Sequence, residues 1–306
     1  TVGTGDIIAT CAIVKALSQG QFGQFPLYAF TDEGVWALEV GADGKYTAKH
    51  PVTRDVCINP DSITQIDTAV LFATERGIMM LSGSNSVCIS DTINSKTTFS
   101  IDSLPYLKQI TQSSKQATSS LPTYIPFHDF IRKCRMLYDY TQQRIIVYNP
   151  NQKYAYIYSL KSKQWGMMEA SIVSSVNSYP YAYAMVKNDD GKIIVVDYSS
   201  EDFTSPVKGV VVTRPLKLDA PDILKTVNAI IQRGYFKTGH IKTLLYGSRD
   251  LLNWHLITSS NTHRINNVSG TPYKYFRIVL LCDFGKEESV SGCSLEYKQR
   301  FTNRLR

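Results

Sequence analysis

Several signatures are missing from this sequence of 306 residues, and each absence excludes a class of protein. No run of about 18 apolar residues occurs, and the N-terminus lacks a charged region before an apolar one, so neither a membrane span nor a signal peptide is predicted. The six cysteines form no Cys-x-x-Cys pair and no metal-ligand spacing with histidine. We therefore expect a soluble chain with reduced thiols, no metal and no cofactor, with a Cys282–Cys293 bridge left open.

Catalytic motifs are missing as well. The chain has no Gly-x-Ser-x-Gly elbow, no P-loop and no dinucleotide fingerprint, and its five histidines are isolated. Hydrolysis by two carboxylates requires a facing pair, whereas the adjacent acids at 32–33, 189–190, 201–202 and 287–288 all fall in predicted turns. We expect structural turn residues there, and a protein that is not an enzyme.

The residues that are abundant favour β structure. Aromatic residues make up 11% of the chain, charged residues only 19%, and there are 19 tyrosines. Large aromatic side chains suit the half-buried surface of a pleated sheet. The composition predicts an all-β protein large enough for one big domain or two smaller ones.

The positive charge is concentrated at one end of the chain. The net charge is +7, yet residues 1–215 contain 19 Lys or Arg and 19 Asp or Glu. Residues 216–306 contain 14 and 7, so they carry the whole excess. Such a bias is typical of contact with nucleic acid or an acidic partner, and equally of a solvated basic face.

A hairpin pattern recurs along the first two thirds of the sequence. The segment at 30–38, Phe-Thr-Asp-Glu-Gly-Val-Trp-Ala-Leu, aligns without gaps on 73–81, Ala-Thr-Glu-Arg-Gly-Ile-Met-Met-Leu. A third copy at 140–148 lacks the glycine, and a fourth lies at 186–196. Each copy reads as two strands joined by a tight turn, so Asp32 and Glu33 become turn residues and Trp36 a packing residue.

The spacing of these hairpins predicts the architecture. A period of about 45 residues in a β-rich chain is typical of the four-stranded blades of a β-propeller. The excess before the third copy corresponds to the Ser- and Thr-rich stretch at about 92–125, in which 102–117 could form a short helix. We predict a propeller-like domain over 1–215 with an insertion at about 92–125.

A second domain is predicted after Pro215 and Pro221, which interrupt the strand pattern. Candidate strands at 227–236, 241–246, 254–258, 273–282 and 293–297 predict a small antiparallel, jelly-roll-like β-sandwich over 216–306. Within it, Ser248, Asp250 and Trp254 match an Asp-box-like turn, whose expected role is to hydrogen-bond the turn and anchor the next strand.

Two segments are candidates for interaction rather than catalysis. The stretch Gln-Gly-Gln-Phe-Gly-Gln-Phe at 19–25 has no counterpart in the other hairpins, and we predict that Phe22 and Phe25 line a contact between blades or subunits. The basic C-terminus offers Arg300, Arg304 and Arg306 to an acidic partner or a nucleic-acid backbone, unless it is simply solvated.

Residues 16–31, 34–38 and 51–57, together with 247–254 and the ending at 300–304, resemble the tail nozzle or muzzle proteins, also called DNA-stabilisation proteins, of short-tailed, crAss-like and related phages of Bacteroidales. The resemblance implies a propeller with extra β domains. It also implies a homo-oligomeric ring that closes the tail channel, retains packaged DNA, permits its ejection and contacts other tail proteins. Because those proteins are longer, this chain is expected to correspond to part of one.

The alternative to a virion protein is a protein that binds or cleaves glycans. A glycan-binding or sialidase-like propeller with an accessory sandwich would need an arginine cluster for a substrate carboxylate. Arg54, Arg76 and Arg132 could converge at a propeller centre, although nothing in the sequence requires it. An adhesin that reads sugars through the sandwich is a weaker third possibility.

Overall fold

The computed structural model describes residues 2–12, 27–40, 43–48, 51–96, 103–113, 124–188, 190–200, 207–266, 268 and 270–300. The chain divides into two compact units, and the division does not follow the sequence order. The first unit comprises residues 1–98 and 124–201, and the second comprises 99–123 and 202–306. Both units consist almost entirely of antiparallel sheets.

The first unit contains four consecutive sheets, which we call blades 1 to 4. Blade 1 is β1 (Ile7–Ala12), β2 (Leu27–Thr31), β3 (Gly34–Val40), β4 (Tyr46–Thr47) and β5 (Pro51–Thr53). Blade 2 is β6 (Thr64–Ile66), β7 (Ala69–Thr74), β8 (Gly77–Ser82) and β9 (Asn85–Cys88). Blade 3 is β10 (Arg135–Asp139), β11 (Arg144–Tyr148), β12 (Tyr154–Ser159) and β13 (Trp165–Glu169). Blade 4 is β14 (Ile172–Ser178), β15 (Tyr181–Lys187) and β16 (Ile193–Asp197).

The four predicted hairpins are confirmed, one in each blade. In the first two, the same hydrogen bonds hold the turn: Thr31 and Thr74 each donate a hydroxyl to the carbonyl of Gly34 or Gly77 at 2.9 Å. Gly34 and Gly77 have φ angles of 130° and 129°, which side-chain-bearing residues rarely adopt. The third copy dispenses with glycine because its turn is longer, and Gln143 takes the positive φ there.

Successive blades pack face to face, and the alternation along each strand explains how. Every residue of β7 is buried: Val70 and Phe72 join an apolar cluster with blade 1, whereas Leu71 and Ala73 join one with blade 3. Successive side chains of a strand point to opposite faces, so a blade with neighbours on both sides must be apolar throughout. The sequence of β7, Ala-Val-Leu-Phe-Ala-Thr, meets that requirement.

Blade 3 repeats this arrangement. Ile145 and Val147 pack toward blade 2, and Ile146 and Tyr148 pack toward blade 4. The short helix α1 (Leu107–Ser113) belongs to the second unit, whereas the helix α2 (Phe127–Ile131) places Phe130 in the core between blades 2 and 3. The first strands of the blades, β1, β6, β10 and β14, lie beside one another in that order. Among the described residues no comparable contact joins β14 to β1, and the described strands of the four blades form an open arc.

The second unit is a β-sandwich of two antiparallel sheets. Its strands are β17 (Val207–Val212), β18 (Leu224–Tyr235), β19 (Ile241–Ser248), β20 (His255–Ser260), β21 (Arg264–Ile265), β22 (Tyr275–Phe284) and β23 (Ser289–Arg300). One sheet has the order β17-β22-β19-β20 and the other has the order β21-β18-β23. The second unit also contains the helix α1 (Leu107–Ser113).

The sheet that contains β19 and β22 is covered on both faces. Leu245 and Ile278 pack between the two sheets, whereas Leu244 and Val279 face the opposite way. The segment around α1, 103–113, covers that opposite face and contributes Leu104 and Leu107 to its core, which also contains Trp254 (5% exposed). The continuous apolar sequences of β19 and β22 follow from this two-sided burial.

The domain boundaries therefore differ from those predicted in two places. The propeller-like domain was expected to extend to residue 215, yet β17 pairs with β22 and belongs to the sandwich, because its Val210 and Val212 pack in the sandwich core. The insertion at about 92–125 was expected to be part of the propeller domain, yet residues 99–123 group with the sandwich. A helix was predicted within 102–117 and is present as α1.

Candidate interaction surface

Most of the residues predicted for interaction cannot be placed. Phe22, Phe25, Arg304 and Arg306 lie outside the described residues. Arg300 is the last residue of β23, where it is exposed and pairs in register with Leu224 of β18.

Blade 4 differs from the other blades because one of its faces is bare. The face that packs on blade 3 includes Ile172, Ala182 and Ala184, all of them buried. The opposite face follows from the strand register: Val176 lies beside Tyr183, and Met185 lies beside Val195. This row of apolar side chains belongs to a sheet that has a neighbour on one side alone among the described residues.

The exposures of the bare face are large for apolar side chains. They are 61% for Val176, 50% for Tyr181, 41% for Met185, 57% for Ile193 and 69% for Val195. Together these side chains expose roughly 500 Å² of mainly apolar surface, which lies in the range of the largest apolar patch on a monomer, and such patches are often functional. Soluble chains rarely leave such a continuous area in water without a use for it.

The outer edge of blade 4 is also unpaired in the described part of the chain. Blades 2 and 3 end on a fourth strand, whereas β16 is the third and last strand of blade 4. Two residues next to or beyond β16 form backbone hydrogen bonds on the β15 side. The carbonyl of Lys192 accepts the N–H of Asn188, and the N–H of Tyr198 donates to the carbonyl of Ala182. Because backbone groups alternate in direction along a strand, Ile193 and Val195 direct theirs toward the free edge.

Exposed tyrosines lie at one end of blades 3 and 4. The rings of Tyr140 and Tyr179 meet edge to face with centroids 4.8 Å apart, and Tyr181 stacks on Tyr183 at 5.6 Å. Tyr138 donates its hydroxyl to Asp67 at 2.8 Å. Rings with one apolar face and a polar tip suit a surface that binds a partner while remaining partly hydrated.

Two of the turn acids that could have suggested catalysis, Glu33 and Glu288, have structural partners, whereas Asp189, Glu201 and Asp202 lie outside the described residues. Glu33 accepts hydrogen bonds from the hydroxyl and the N–H of Thr4, and these lower the pKa of Glu33. Glu288 was expected to be an exposed turn residue, yet its side chain is only 6% exposed. It accepts hydrogen bonds at 2.7 Å from the Gly285 N–H, from the His240 ring and from the Lys237 N–H, which lower its pKa to about 2.

Two of the three arginines considered for a substrate carboxylate lie beside carboxylates of the protein itself, and the charge of the third, Arg54, contributes to the lowered pKa of Glu33. Arg76 pairs with Asp55 at 3.1 Å, and Arg132 pairs with Glu75 at 2.8 Å. Glu75 also accepts a hydrogen bond from His128 at 2.8 Å, the main reason that its pKa is lowered. These pairs neutralise the charges that an anionic substrate would need.

The Asp-box-like turn has the structural role that the sequence predicted. Asp250 accepts hydrogen bonds from the N–H groups of Leu252 and Asn253 at 2.9 and 2.8 Å, and from the Ser248 hydroxyl at 3.0 Å. Trp254 is buried and donates its ring N–H to the carbonyl of Leu251 at 3.1 Å. The turn therefore closes on itself.

Other observations bear on ligands and membranes. All six cysteines are free thiols, Cys282 and Cys293 included. Within the described ranges, no group of three or more His, Cys, Asp or Glu side chains is placed to hold a metal ion. The same ranges contain no helix of the length and apolarity needed to cross a membrane.

The apolar character of the bare face, although not its lack of a neighbour, is visible in the sequence. The segments 181–186 and 193–196 are apolar at nearly every position, as in β7 and β11 with neighbours on both sides. That pattern predicts two covered faces for blade 4. Sequence alone could not show that one of them lacks a neighbour.

Comparisons with known proteins identify no family. No family model matches the chain, and no curated protein sequence matches it. Among solved structures, the extracellular domain of a one-component system of B. thetaiotaomicron is 11% identical, with 90% of this chain and 42% of that chain covered and a TM-score of 0.31. A glycoside hydrolase is 10% identical, with 95% and 84% covered and a TM-score of 0.25. These TM-scores are too low to establish a shared fold.

Proposed function

We propose that the protein is a structural, non-enzymatic subunit of a phage tail, of the nozzle or muzzle type. In this proposal it assembles with further copies into a ring that closes the tail channel, retains packaged DNA and permits its release. The observation that carries the proposal is the bare apolar face of blade 4, because a surface of that kind suits a protein that works as part of an assembly. The sequence resemblance supplies the kind of assembly.

The distribution of charge supports the same proposal. Residues 216–306 carry the whole net positive charge of the chain, and Lys298 and Arg300 are exposed at the end of β23. Contact with the phosphates of packaged DNA requires positive charge and no particular base sequence. Neighbouring tail proteins are the other partners that the proposal includes.

Purified phage particles provide the test. Mass spectrometry of virions should detect this protein at a constant ratio to the other tail proteins, and antibody labelling should place it at the distal end of the tail. Particles without the protein should lose their DNA early. A protein that is expressed during infection yet absent from purified particles would overturn the proposal.

A second function is favoured by a separate observation, the exposed rings of Tyr140, Tyr179 and Tyr181. Aromatic faces stack on the apolar faces of sugar rings, so this cluster suits a glycan-binding propeller. A glycan array is the direct measurement, with Tyr179→Ala and Tyr181→Ala as variants. Binding that these variants abolish would support this function, and an array without any signal would exclude it.

A further inference from the structure

The contacts between successive blades share one geometry, and among the described residues the second side of blade 4 makes no such contact. Each of the three contacts within the chain joins the facing sides of two blades, with their first strands adjacent. Blade 4 presents the same kind of two-sided apolar sheet, yet its second side is bare. A fourth contact of the same geometry would cover Val176, Met185 and Val195.

Another copy of the chain offers a blade for that contact. On blade 1 the side turned away from blade 2 carries Trp36, and the segment around Gly3 covers its ring. The β1 strand that follows this segment leaves Ile7 53% exposed and Ile8 39% exposed. Both ends of the arc therefore present apolar side chains, the larger set on blade 4 and a smaller one on blade 1.

The charges at the two ends are compatible with this contact. Lys187 lies beside Ile193 on the bare face, and Asp197, which lies on the same face, accepts hydrogen bonds from the N–H and the hydroxyl of Ser199. At the other end, Asp6 and Asp32 are exposed next to β1. Opposite charges at the rim of an interface favour the correct orientation, although each pair contributes little energy.

We propose that blade 4 of one copy packs against blade 1 of a second copy, so that the arc of blades continues from chain to chain. The contact joins two different surfaces and is therefore head-to-tail, the type that closes into a ring when the rotation per copy divides a full turn. With a polar rim, the roughly 500 Å² of apolar surface approaches the ~800 Å² that each partner contributes to a stable interface. The proposal rests on the ring of the proposed function and assigns its contact surfaces.

Sedimentation velocity of the purified chain, over a wide concentration range, tests the contact. The wild type should form oligomers. Val195→Asp on blade 4 and Ile7→Asp on blade 1 should each weaken association by about tenfold or more, because each buries an unpaired charge at the contact. Val87→Asp changes an exposed apolar residue on β9 and should associate as the wild type does. Circular dichroism melts of all variants check that each is folded.

Mixing the two defective variants gives the decisive result. Ile7→Asp keeps an intact blade 4 and Val195→Asp keeps an intact blade 1, so an equimolar mixture should form dimers and nothing larger. Normal association of Ile7→Asp would show a contact between two copies of blade 4 and would overturn the proposal. A monomeric wild type would overturn it as well, while leaving detection in virions open. Absence from virions, with association intact, would remove the proposed function instead.

Discussion

Single glycines determine whether the hairpin turns can form. Gly77 has a φ angle of 129°, and a Cβ atom added there would lie 2.3 Å from the hydroxyl oxygen of Ser90. That hydroxyl also accepts the N–H of Ile78 at 2.8 Å, so it cannot move away without breaking a buried hydrogen bond. Both conformation and space therefore demand glycine at this position.

We predict that Gly77→Ala lowers the free energy of unfolding by roughly 1–3 kcal/mol, the usual cost of holding a side-chain-bearing residue in this region of φ. Urea denaturation provides the measurement. Gly166→Ala is the matched control, because Gly166 lies on a strand with negative φ and has no atom within 4 Å of its added Cβ. Equal stabilities of the two variants would contradict the prediction.

Glu288 gives the sandwich a dependence on pH. Its pKa in the folded protein is about 2, below the ordinary value of 4.5, so the unfolded chain binds the proton more tightly. The stabilisation is therefore complete above the ordinary pKa and is lost as the pH falls from about 4.5 toward 2. A carboxyl group whose pKa is lowered by folding always stabilises the folded protein more at high pH than at low pH.

The corresponding variant is Glu288→Gln, measured by its melting temperature from pH 7 to pH 3. At neutral pH it should melt below the wild type, and the difference in melting temperature should narrow as the pH falls below about 4.5, because the unfolded wild-type chain then binds a proton that the folded protein does not. Glu287→Gln, at the exposed neighbouring position, is the control and should match the wild type throughout. A gap that stays constant with pH would show that the carboxylate charge is not responsible.

At the scale of elements, α1 covers the face of the β19–β22 sheet that points away from the other sheet of the sandwich. Leu107 is fully buried among Leu244, Tyr246 and Trp254. Leu107→Ala should destabilise the sandwich by about 2–5 kcal/mol through lost burial and a cavity. Tyr106→Ala removes an exposed neighbour and should change stability by no more than about 0.5 kcal/mol.

Fluorescence can follow this unit separately. Trp254 is the one tryptophan within 99–123 and 202–306, so replacing Trp36 and Trp165 with Phe leaves a probe of the core that Leu107 enters. The Leu107→Ala transition should move to lower denaturant in this background. An unchanged transition would show that α1 does not stabilise the sandwich.

Elements with local causes were predictable from the sequence, and elements with distant partners were not. The four hairpins follow from residues next to one another, as the shared Thr and Gly contacts of the first two turns show. The assignment of β17 and α1 to the sandwich depends on partners far along the chain, such as Leu281 and Leu244. Binary patterning shows that a face is buried and does not identify what covers it.

At the scale of the whole molecule, charge and apolar surface are divided between the two units. The bare apolar face belongs to the first unit, and the excess positive charge follows residue 215. Assembly and contact with DNA would therefore involve different parts of the chain. Substitutions on the bare apolar face should leave contact with DNA intact, and substitutions that remove positive charge after residue 215 should leave assembly intact.

Lys298 and Arg300 provide the test of this separation. Replacing both with Gln should weaken binding to duplex DNA and reduce the slope of log K against log salt by about 2, since each phosphate contact contributes about one released ion. Lys161→Gln with Lys163→Gln, two exposed changes in a blade 3 turn, should leave the slope unchanged. Oligomer formation should be unaffected in both double variants. An unaltered slope for the β23 variant would place the DNA contact elsewhere or exclude it.

The origin of the sandwich from two separate segments has a consequence for synthesis on the ribosome. The segment with Leu104 and Leu107 is translated before blades 3 and 4, whereas the strands that pack on it, β17, β19 and β22, all follow residue 206. At a translation rate of about 5–20 residues per second, its apolar side chains remain without these partners for on the order of ten seconds. During that interval Leu104 and Leu107 have no sandwich core to pack into, so folding of this unit waits for the end of the chain.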